Sequence, residues 1–409
     1  MKSVIILGAG MVGVSSAIHL QRRGWSVVII DRNEPGRETS YGNAGIIQSE
    51  AVRPYAMPRD IASLASIAAG LTNDVRYRAT ALPSHVNALI RYWWHSMPAR
   101  HRAISDAYAT LIAQALPTHD GLIQDAGAGA LVRREGFFLL HRTAKALEAA
   151  LAIAAVNRDR YGVRFSALTP AQLRQAEPGL INGGAGAIHW EDPWTVSDPG
   201  ALVKAYAELF LREGGRILRG DAASLEPDGA GWRIDSADGP LTASAALVAL
   251  GPWSPILLRR FGYRFTMVRK RGYHRHYAGG AELLRPVMDG AFGYVLAPMR
   301  QGLRITTGAE LTGADAPATP VQLKKAEAAA RTLVKLGNPV EAEPWFGTRP
   351  CMPDMLPVIG RAPRHRSLWL NFGHGHQGFT LGPATGRMTA ELMDGDKPYV
   401  DPTPFRPER

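Results

Sequence analysis

The first thirty residues alternate between apolar runs and glycine. Val4-Ile5-Ile6-Leu7 is continuous and mostly β-branched, the pattern of a parallel strand buried on both faces. Gly8-Ala9-Gly10-Met11-Val12-Gly13 follows at once. A helical pattern then runs from Val12 to about Arg23 and stops at Gly24. A second apolar run, Val27-Val28-Ile29-Ile30, ends at Asp31. Together these make one βαβ unit. Beyond it, apolar runs predict strands at Phe137–His141, Arg216–Arg219, Gly231–Ile234, Leu241–Leu250, Phe265–Val268, Tyr294–Ala297, Leu303–Thr307 and Leu368–Phe372. Helices are expected from Ala201 to about Arg212 after Asp198-Pro199, from a Pro83-Ser84 cap to Met97, and through Ala390 and Leu392.

At 409 residues the chain exceeds what one hydrophobic core usually serves, so two structural domains are expected. Hydrophobic residues make up 46% and charged residues 20%, a globular balance that excludes global disorder. Lys and Arg total 47 against 36 Asp and Glu, a formal charge of +11. The positive charges are scattered, and Arg22-Arg23 and Arg269-Lys270-Arg271 read as solvated surface, so no nucleic-acid partner is expected. A small anionic substrate suits the balance. Cys351 is the sole cysteine, so no internal disulfide and no cysteine-based metal cluster can form, and a reducing compartment fits. The apolar start is interrupted by glycines and reads as structure, not as a signal peptide. The apolar stretch Ile61–Leu71 is too short to span a membrane. The expected location is the cytoplasm, either in solution or peripherally at the inner face of the membrane.

The glycine spacing has a physical reading. Gly8 permits the tight turn, Gly10 lets the backbone approach a pyrophosphate, and Gly13 lets helix and strand pack closely. The helix start, with Met11 and Val12, offers unpaired N–H groups and a positive dipole end to phosphate. Asp31 can accept hydrogen bonds from a ribose, which disfavours a 2′-phosphate and leaves NAD and FAD open. Near the other end, Leu368–Phe372 leads into Gly373-His374-Gly375-His376-Gln377-Gly378-Phe379-Thr380 and a second helix. A second glycine turn of this kind can stabilise negative charge on a reduced flavin ring, which an NAD enzyme does not need. A third strand and turn, Ala245–Leu250 with Gly251-Pro252-Trp253-Ser254, lies between them.

These features occur in one order: the Gly8, Gly10 and Gly13 turn, Asp31, Thr39-Ser40 with Asn43-Ala44-Gly45, Ala249 to Ser254, Arg349-Pro350 with Pro353-Asp354, and Gly373 to Gly386. In that order they resemble the FAD-dependent D-amino-acid oxidase-like family, which includes glycine and sarcosine oxidases. The resemblance extends from residue 1 to about residue 395. The Asn43-Ala44-Gly45 and His374-Gly375 details are most similar to the small, catalytic subunit of bacterial D-amino-acid dehydrogenase. The resemblance implies an α/β fold, with a Rossmann-like FAD-binding domain interleaved with a mixed-sheet substrate domain. Residues 1–60, 195–258 and 345–409 would form the first domain, and 61–194 and 259–344 the second. FAD contacts are expected from Gly8, Gly10, Met11, Val12, Gly13, Asp31, Arg32, Thr39, Ser40, Asn43, Ala44 and Gly45. Further contacts would come from Gly251, Trp253, Gly373, His374, Gly375, Gly378 and Thr380.

The family chemistry is hydride transfer from the substrate Cα to flavin N5, which requires a carboxylate anchor and alignment more than acid–base groups. Arg349 matches the family position that pairs with the substrate carboxylate, and its two parallel N–H donors suit that task. Tyr294 resembles the tyrosine that adds a second hydrogen bond, although its spacing to Pro298 is longer than in the family pattern. Tyr273 lies on a strand that often carries active-site side chains. Tyr273 and Arg275 oppose His274 and His276 there, and either face could meet the flavin. His374 flanks the second turn. Glycine oxidase-like members have an arginine near His376, where this chain has histidine. No metal site is expected from these histidines. The cysteine that carries flavin in sarcosine oxidases falls at Gly347, so FAD is expected to be noncovalent and Cys351 a buried thiol.

The substrate expectation is an amino acid, oxidised to an imino acid and then an oxo acid. Electrons would pass to quinone or another carrier, as in a D-amino-acid dehydrogenase. The alternatives are an oxygen-using glycine- or sarcosine-type oxidase, a proline- or hydroxyproline-type dehydrogenase, and a non-catalytic flavin-holding subunit of a larger complex. Tyr92, Trp93 and Trp94, with Ile90, read as packing in the core or between domains. The other reading is a peripheral membrane contact.

Overall fold

The computed structural model describes residues 2–68, 70, 73, 75–313 and 316–409. Six strands form a central sheet in the order Arg216–Arg219, Ser26–Asp31, Ser3–Leu7, Ala245–Val248, Leu368–Phe372, Val358–Arg361. All pairs are parallel except the last. The first strand's apolar run is continuous because both faces are covered. Val4 and Ile6 enter one core cluster, while Ile5 and Leu7 enter another.

Two helices that carry the glycine turns pack against each other on one face. Gly382 and Gly386 of helix Gly378–Asp394 lie so close to helix Met11–Gln21 that a Cβ would come within 2.6 Å of Met11 and 2.8 Å of the Ser16 nitrogen. Small residues at this crossing bring both helix starts to the same end of the sheet. Helix Pro199–Arg212 is capped as expected, with Asp198 accepting from the Ala201 N–H at 2.9 Å.

Among the described residues a second, mixed sheet has eleven strands. Its long strand Val268–Ala278 pairs with Gly302–Thr306, Ala309–Leu311 and Trp345–Cys351. Smaller sheets join Ile46–Ile47 and Val132–Arg133 to Trp194–Val196, and Glu226–Asp228 and Gly239–Ala243 to Gly231–Ser236. The molecule is thus α/β, with a Rossmann-like parallel sheet and a separate mixed sheet.

Several local expectations are corrected. Leu241–Leu250 is two strands, because Ser244 turns out of the hairpin and locks onto Ser3 through paired hydrogen bonds of 2.9 and 2.8 Å. Phe265 does not begin a strand. Its ring packs edge-on against Phe372, 5.2 Å between centroids, and pairing starts only at Val268. The helix near Trp93 starts at Leu82, with Pro83 in its first turn, and Ser84 donates to the Ala81 carbonyl instead of capping. The apolar stretch from Ile61 is a helix to Ala68, and residues 69 and 71 of it lie outside the described residues. Among the described residues no helix is long and apolar enough to cross a membrane.

Arg269-Lys270-Arg271 is not simply solvated surface. Arg271 is buried and donates to the Ala316 and Pro317 carbonyls, and Lys270 lines an internal cavity. The aromatic segment divides too. Tyr92 is buried as a packing residue, but Ile90, Trp93 and Trp94 are exposed, with Arg59 over Trp93 and Arg100 over Trp94.

Candidate active site

A single cavity of about 1130 Å³ runs between the two large sheets and touches both glycine turns. At one pole its wall is mainly backbone. Gly8, with φ +107°, turns directly beneath the Ala249 carbonyl, and Gly10, Met11 and Val12 border the cavity beside it. The N-cap residue of the helix that starts at Met11 is Gly10, which has no side chain to cap it, so its positive end borders the space. Asp31 lines the cavity from the end of the second strand. Its carboxylate is oriented by the Ala9 N–H at 2.7 Å and the Asn33 N–H at 2.9 Å. This cradle lacks Cβ atoms at Gly8 and Gly10, has a helix start above and an acid at the side, and so fits a nucleotide diphosphate with its ribose.

The loop after Asp31 closes over this pole. Arg32, Thr39, Ser40, Asn43 and Ala44 all line the cavity. Ser40 accepts from the Met11 N–H at 3.1 Å, and Thr39 donates to the Thr348 carbonyl at 3.2 Å. Asn43 makes a local turn by accepting from the Gly45 N–H at 2.8 Å. From the third strand, Gly251 and Trp253 reach the same space, and the Arg32 guanidinium lies 4.8 Å over the Trp253 ring. The second glycine turn brings His374, Gly375 and Gly378 to the wall. It is tied to the Arg349 strand by the Gly375 N–H, which donates to the Pro350 carbonyl at 2.9 Å.

Other expected cofactor residues support the wall without lining it. A Cβ on Gly13 would lie 1.9 Å from the Gly8 carbonyl oxygen, so Gly13 sets the helix–strand contact. Gly45, with φ +69°, passes under the Val196 carbonyl, and Gly373, with φ +85°, lies against Met352. The Thr380 hydroxyl accepts from the Gln48 N–H at 3.2 Å.

The opposite pole is built from side chains. Arg349 lines it, with its guanidinium laid flat over Gly272, where a Cβ would come within 2.7 Å. Its two terminal nitrogens donate to the Gly308 and Thr307 carbonyls at 2.7 and 2.9 Å. Among the described residues no carboxylate pairs with it. Burial lowers its pKa, yet a guanidinium keeps its charge at neutral pH. The site is therefore a fixed, uncompensated cation facing a cavity.

The remaining catalytic candidates divide. Tyr273 touches the cavity, but its hydroxyl donates to the buried Glu310 carboxylate at 2.6 Å. Tyr294 does not line the cavity. Its ring belongs to the core cluster with Tyr273, while its neighbours Gly293 and Val295 face the space. His374 lines the wall, with Nε2 3.0 Å from the Thr385 hydroxyl. Burial pushes its pKa down to about 3, so it is neutral at physiological pH. On the strand Val268–Ala278 the side chains of Lys270, His274 and His276 share a face with Gly272, and of the two faces left open by the sequence only Tyr273, among Tyr273, Arg275, His274 and His276, lines the cavity. His274 does not reach the cavity wall. It stacks on Trp345 at 4.7 Å.

Sequence reading assigned no site role to four participants. Lys270 lines the cavity beside Arg349, and Tyr55 and Tyr92 complete that wall. Arg304 is buried and holds the loop closed through the Tyr41 and Asn43 carbonyls at 2.9 and 2.7 Å. Its Nε donates to His276 Nε2 at 2.9 Å, and His276 Nδ1 in turn donates to Glu341. The available signal for Arg304 was a single charge inside an apolar strand pattern, Leu303 to Thr307.

The sequence model of DAO, the FAD dependent oxidoreductase family, matches residues 3–392. The chain is 32% identical to a D-amino-acid oxidase of Bradyrhizobium diazoefficiens, over 100% of this chain and 99% of the relative. It is 30% identical to a D-amino acid dehydrogenase of Chromohalobacter salexigens, over 98% and 97% of the two chains. The fold matches that of glycine oxidase from Geobacillus kaustophilus with a TM-score of 0.74 at 20% identity, covering 99% and 98% of the chains.

Proposed function

We propose, from the premise that this chain belongs to the DAO family of FAD-dependent oxidoreductases, that it oxidises the Cα–N bond of an amino acid, with D-amino acids as the primary substrate class. The observation that carries this reading is Arg349: a guanidinium held by two backbone carbonyls, without a carboxylate partner among the described residues, facing the cavity that both glycine turns share. When bound, FAD supplies a two-electron acceptor at N5 for the Cα hydride, and water then hydrolyses the released imino acid to an oxo acid and ammonia.

The protein's part is placement. Arg349 binds the substrate carboxylate through its remaining N–H donors, and the two carbonyls keep the guanidinium from swinging. His374 is neutral and donates to Thr385, so it shapes the wall without removing a proton from the substrate amine. Tyr273 acts through Glu310 and supports the strand below Arg349. At the other pole Gly8, Gly10, Met11, Val12, Asp31, Thr39, Ser40, Asn43 and Ala44 contact the dinucleotide. Gly251, Trp253, His374, Gly375 and Gly378 contact the rest of the cofactor. Gly347 lines the cavity and has no thiol, which supports noncovalent flavin. The division into FAD-binding segments 1–60, 195–258 and 345–409, with 61–194 and 259–344 over the substrate, belongs to the same proposal.

The relatives' names include both an oxidase and a dehydrogenase. The reading here is a dehydrogenase that passes electrons to quinone or another carrier. The test is an anaerobic screen of D- and L-amino acids, sarcosine and both proline series for loss of flavin colour, followed by parallel assays of dye reduction and peroxide release. Bleaching by D-amino acids with dye reduction exceeding peroxide release is expected. Flavin that stays oxidised with every amine would overturn the proposal and favour a non-catalytic, flavin-holding subunit.

A further inference from the structure

Strands Val268–Ala278 and Trp345–Cys351 run antiparallel, and their register sets Lys270 directly opposite Arg349. Side chains directly opposite each other on such a pair project to the same face and lie close together. Both line the same cavity. Two cations in this position repel each other, and like charges directly opposite destabilise a sheet. Among the described residues neither has a carboxylate within ion-pairing distance. Arg349 is held by the Thr307 and Gly308 carbonyls, and the Lys270 ammonium has the Tyr92 hydroxyl at 3.5 Å and the Tyr92 ring at 4.6 Å; the Cys351 thiol beside both cations is buried, which pushes its pKa up and keeps it neutral. His376 and Tyr55 stand beside them on the wall, their rings 5.3 Å apart, and supply no negative charge.

One substrate carboxylate balances one of these charges. A second anionic group would balance the other and remove the repulsion across the strand pair. We propose that Lys270 is a specificity-determining residue that binds a second carboxylate, so that the preferred substrate is an amino dicarboxylate. This rests on the amino-acid oxidation proposed above and names its substrate class. Arg349, flat on Gly272 and fixed by two carbonyls, takes the α-carboxylate as a bidentate partner. Lys270, on a flexible stem and presenting a point charge, takes the distal one. Leu311, paired with Lys270 across the sheet, and Val75 and Leu89 of the same cluster add apolar wall to the cavity.

The test uses the flavin-loaded protein and two readouts. Calorimetric titration compares succinate with butyrate, neither of which can be oxidised as an amine. Steady-state kinetics compares D-glutamate with D-norvaline. Both are repeated in Lys270→Met, which keeps the volume and removes the repulsion with Arg349, and in Lys270→Arg. Succinate is expected to bind at least about tenfold more tightly than butyrate, and D-glutamate to show a KM lower by about the same factor. Lys270→Met should abolish both advantages, raising the KM for D-glutamate by about tenfold more than the KM for D-norvaline, and not lower thermal stability. Lys270→Arg should restore most of the preference.

Equal binding of succinate and butyrate by the wild type would overturn the inference while leaving amino-acid oxidation intact. So would a dicarboxylate advantage that survives in Lys270→Met. Equal losses for D-glutamate and D-norvaline would instead assign Lys270 to a group both substrates share, which also overturns it. Tight succinate binding that depends on Lys270, with no amine able to bleach the flavin, would retain the dianion site and sink the reading of amino-acid oxidation.

Discussion

The two poles of the cavity are built differently. At the nucleotide pole the determinants are mainly backbone: a turn at Gly8, a close approach at Gly13, a helix start at Met11 behind a glycine N-cap, and an acid at a strand end. All of them lie within the first 31 residues. At the substrate pole the determinants are side chains on strands far apart in the chain. Arg349 lies across from Lys270, Gly272 provides its floor, and Thr307 and Gly308 supply its hydrogen-bond acceptors. At Gly8 and Gly13 the first pole has no room for an added atom, while the other should tolerate altered side chains but lose selectivity. Substitutions at the first should therefore remove the cofactor, and substitutions at the second should spare it.

The largest expected effect breaks the nucleotide pole. Gly13→Val drives a branched side chain into the Gly8 carbonyl and should cost at least about 4 kcal/mol. The check is flavin content per chain after purification, expected to fall close to zero. Arg349→Met should leave flavin content unchanged and lower kcat/KM by about a thousandfold, equivalent to about 4 kcal/mol. Stopped-flow reduction by the best amino acid would measure it, and an unchanged rate would remove Arg349 from the site.

A third substitution separates folding from chemistry. Burial raises the Glu50 pKa from 4.5 to about 7. The folded state thus holds the proton more tightly than the unfolded chain. This stability is fully present below pH 4.5 and is lost as pH rises through about 7. Glu50→Gln should raise stability by up to about 3 kcal/mol at pH 8 and by almost nothing at pH 4. Denaturant titration at both pH values would test it, and an equal gain at both would refute the buried-carboxyl explanation. The smallest effect concerns Trp253, whose ring lies under Arg32. Trp253→Ala should weaken FAD binding about fivefold, near 1 kcal/mol, in an apoprotein titration.

The same contrast explains what the sequence disclosed. The βαβ unit was legible because its strand, turn, helix and acid are contiguous, and each glycine has a local steric reason. Arg349 was reached through its resemblance to a family position. Lys270 was not, because Arg269-Lys270-Arg271 looks like a surface run until strand Trp345–Cys351 is laid beside it. Arg304 was hidden for the same reason, since its acceptors lie on the Tyr41–Asn43 loop. Tyr294 illustrates register. Adjacent strand residues point to opposite faces, so Val295 meets the cavity and Tyr294 the core. The longer spacing to Pro298 was the one visible sign of that shift. The apolar run at Phe265 misled because aromatic packing against Phe372 produces the same pattern as a strand.

The central claim is that both glycine turns serve one flavin, over which Arg349 holds the substrate. It is tested most directly by one paired experiment. Wild type and Arg349→Met are purified with their flavin, the flavin per chain is measured, and each is titrated anaerobically with a D-amino acid. The account expects one flavin per chain in both proteins and rapid bleaching in the wild type alone. A colourless wild type, or an Arg349→Met protein that bleaches at the wild-type rate, would contradict it.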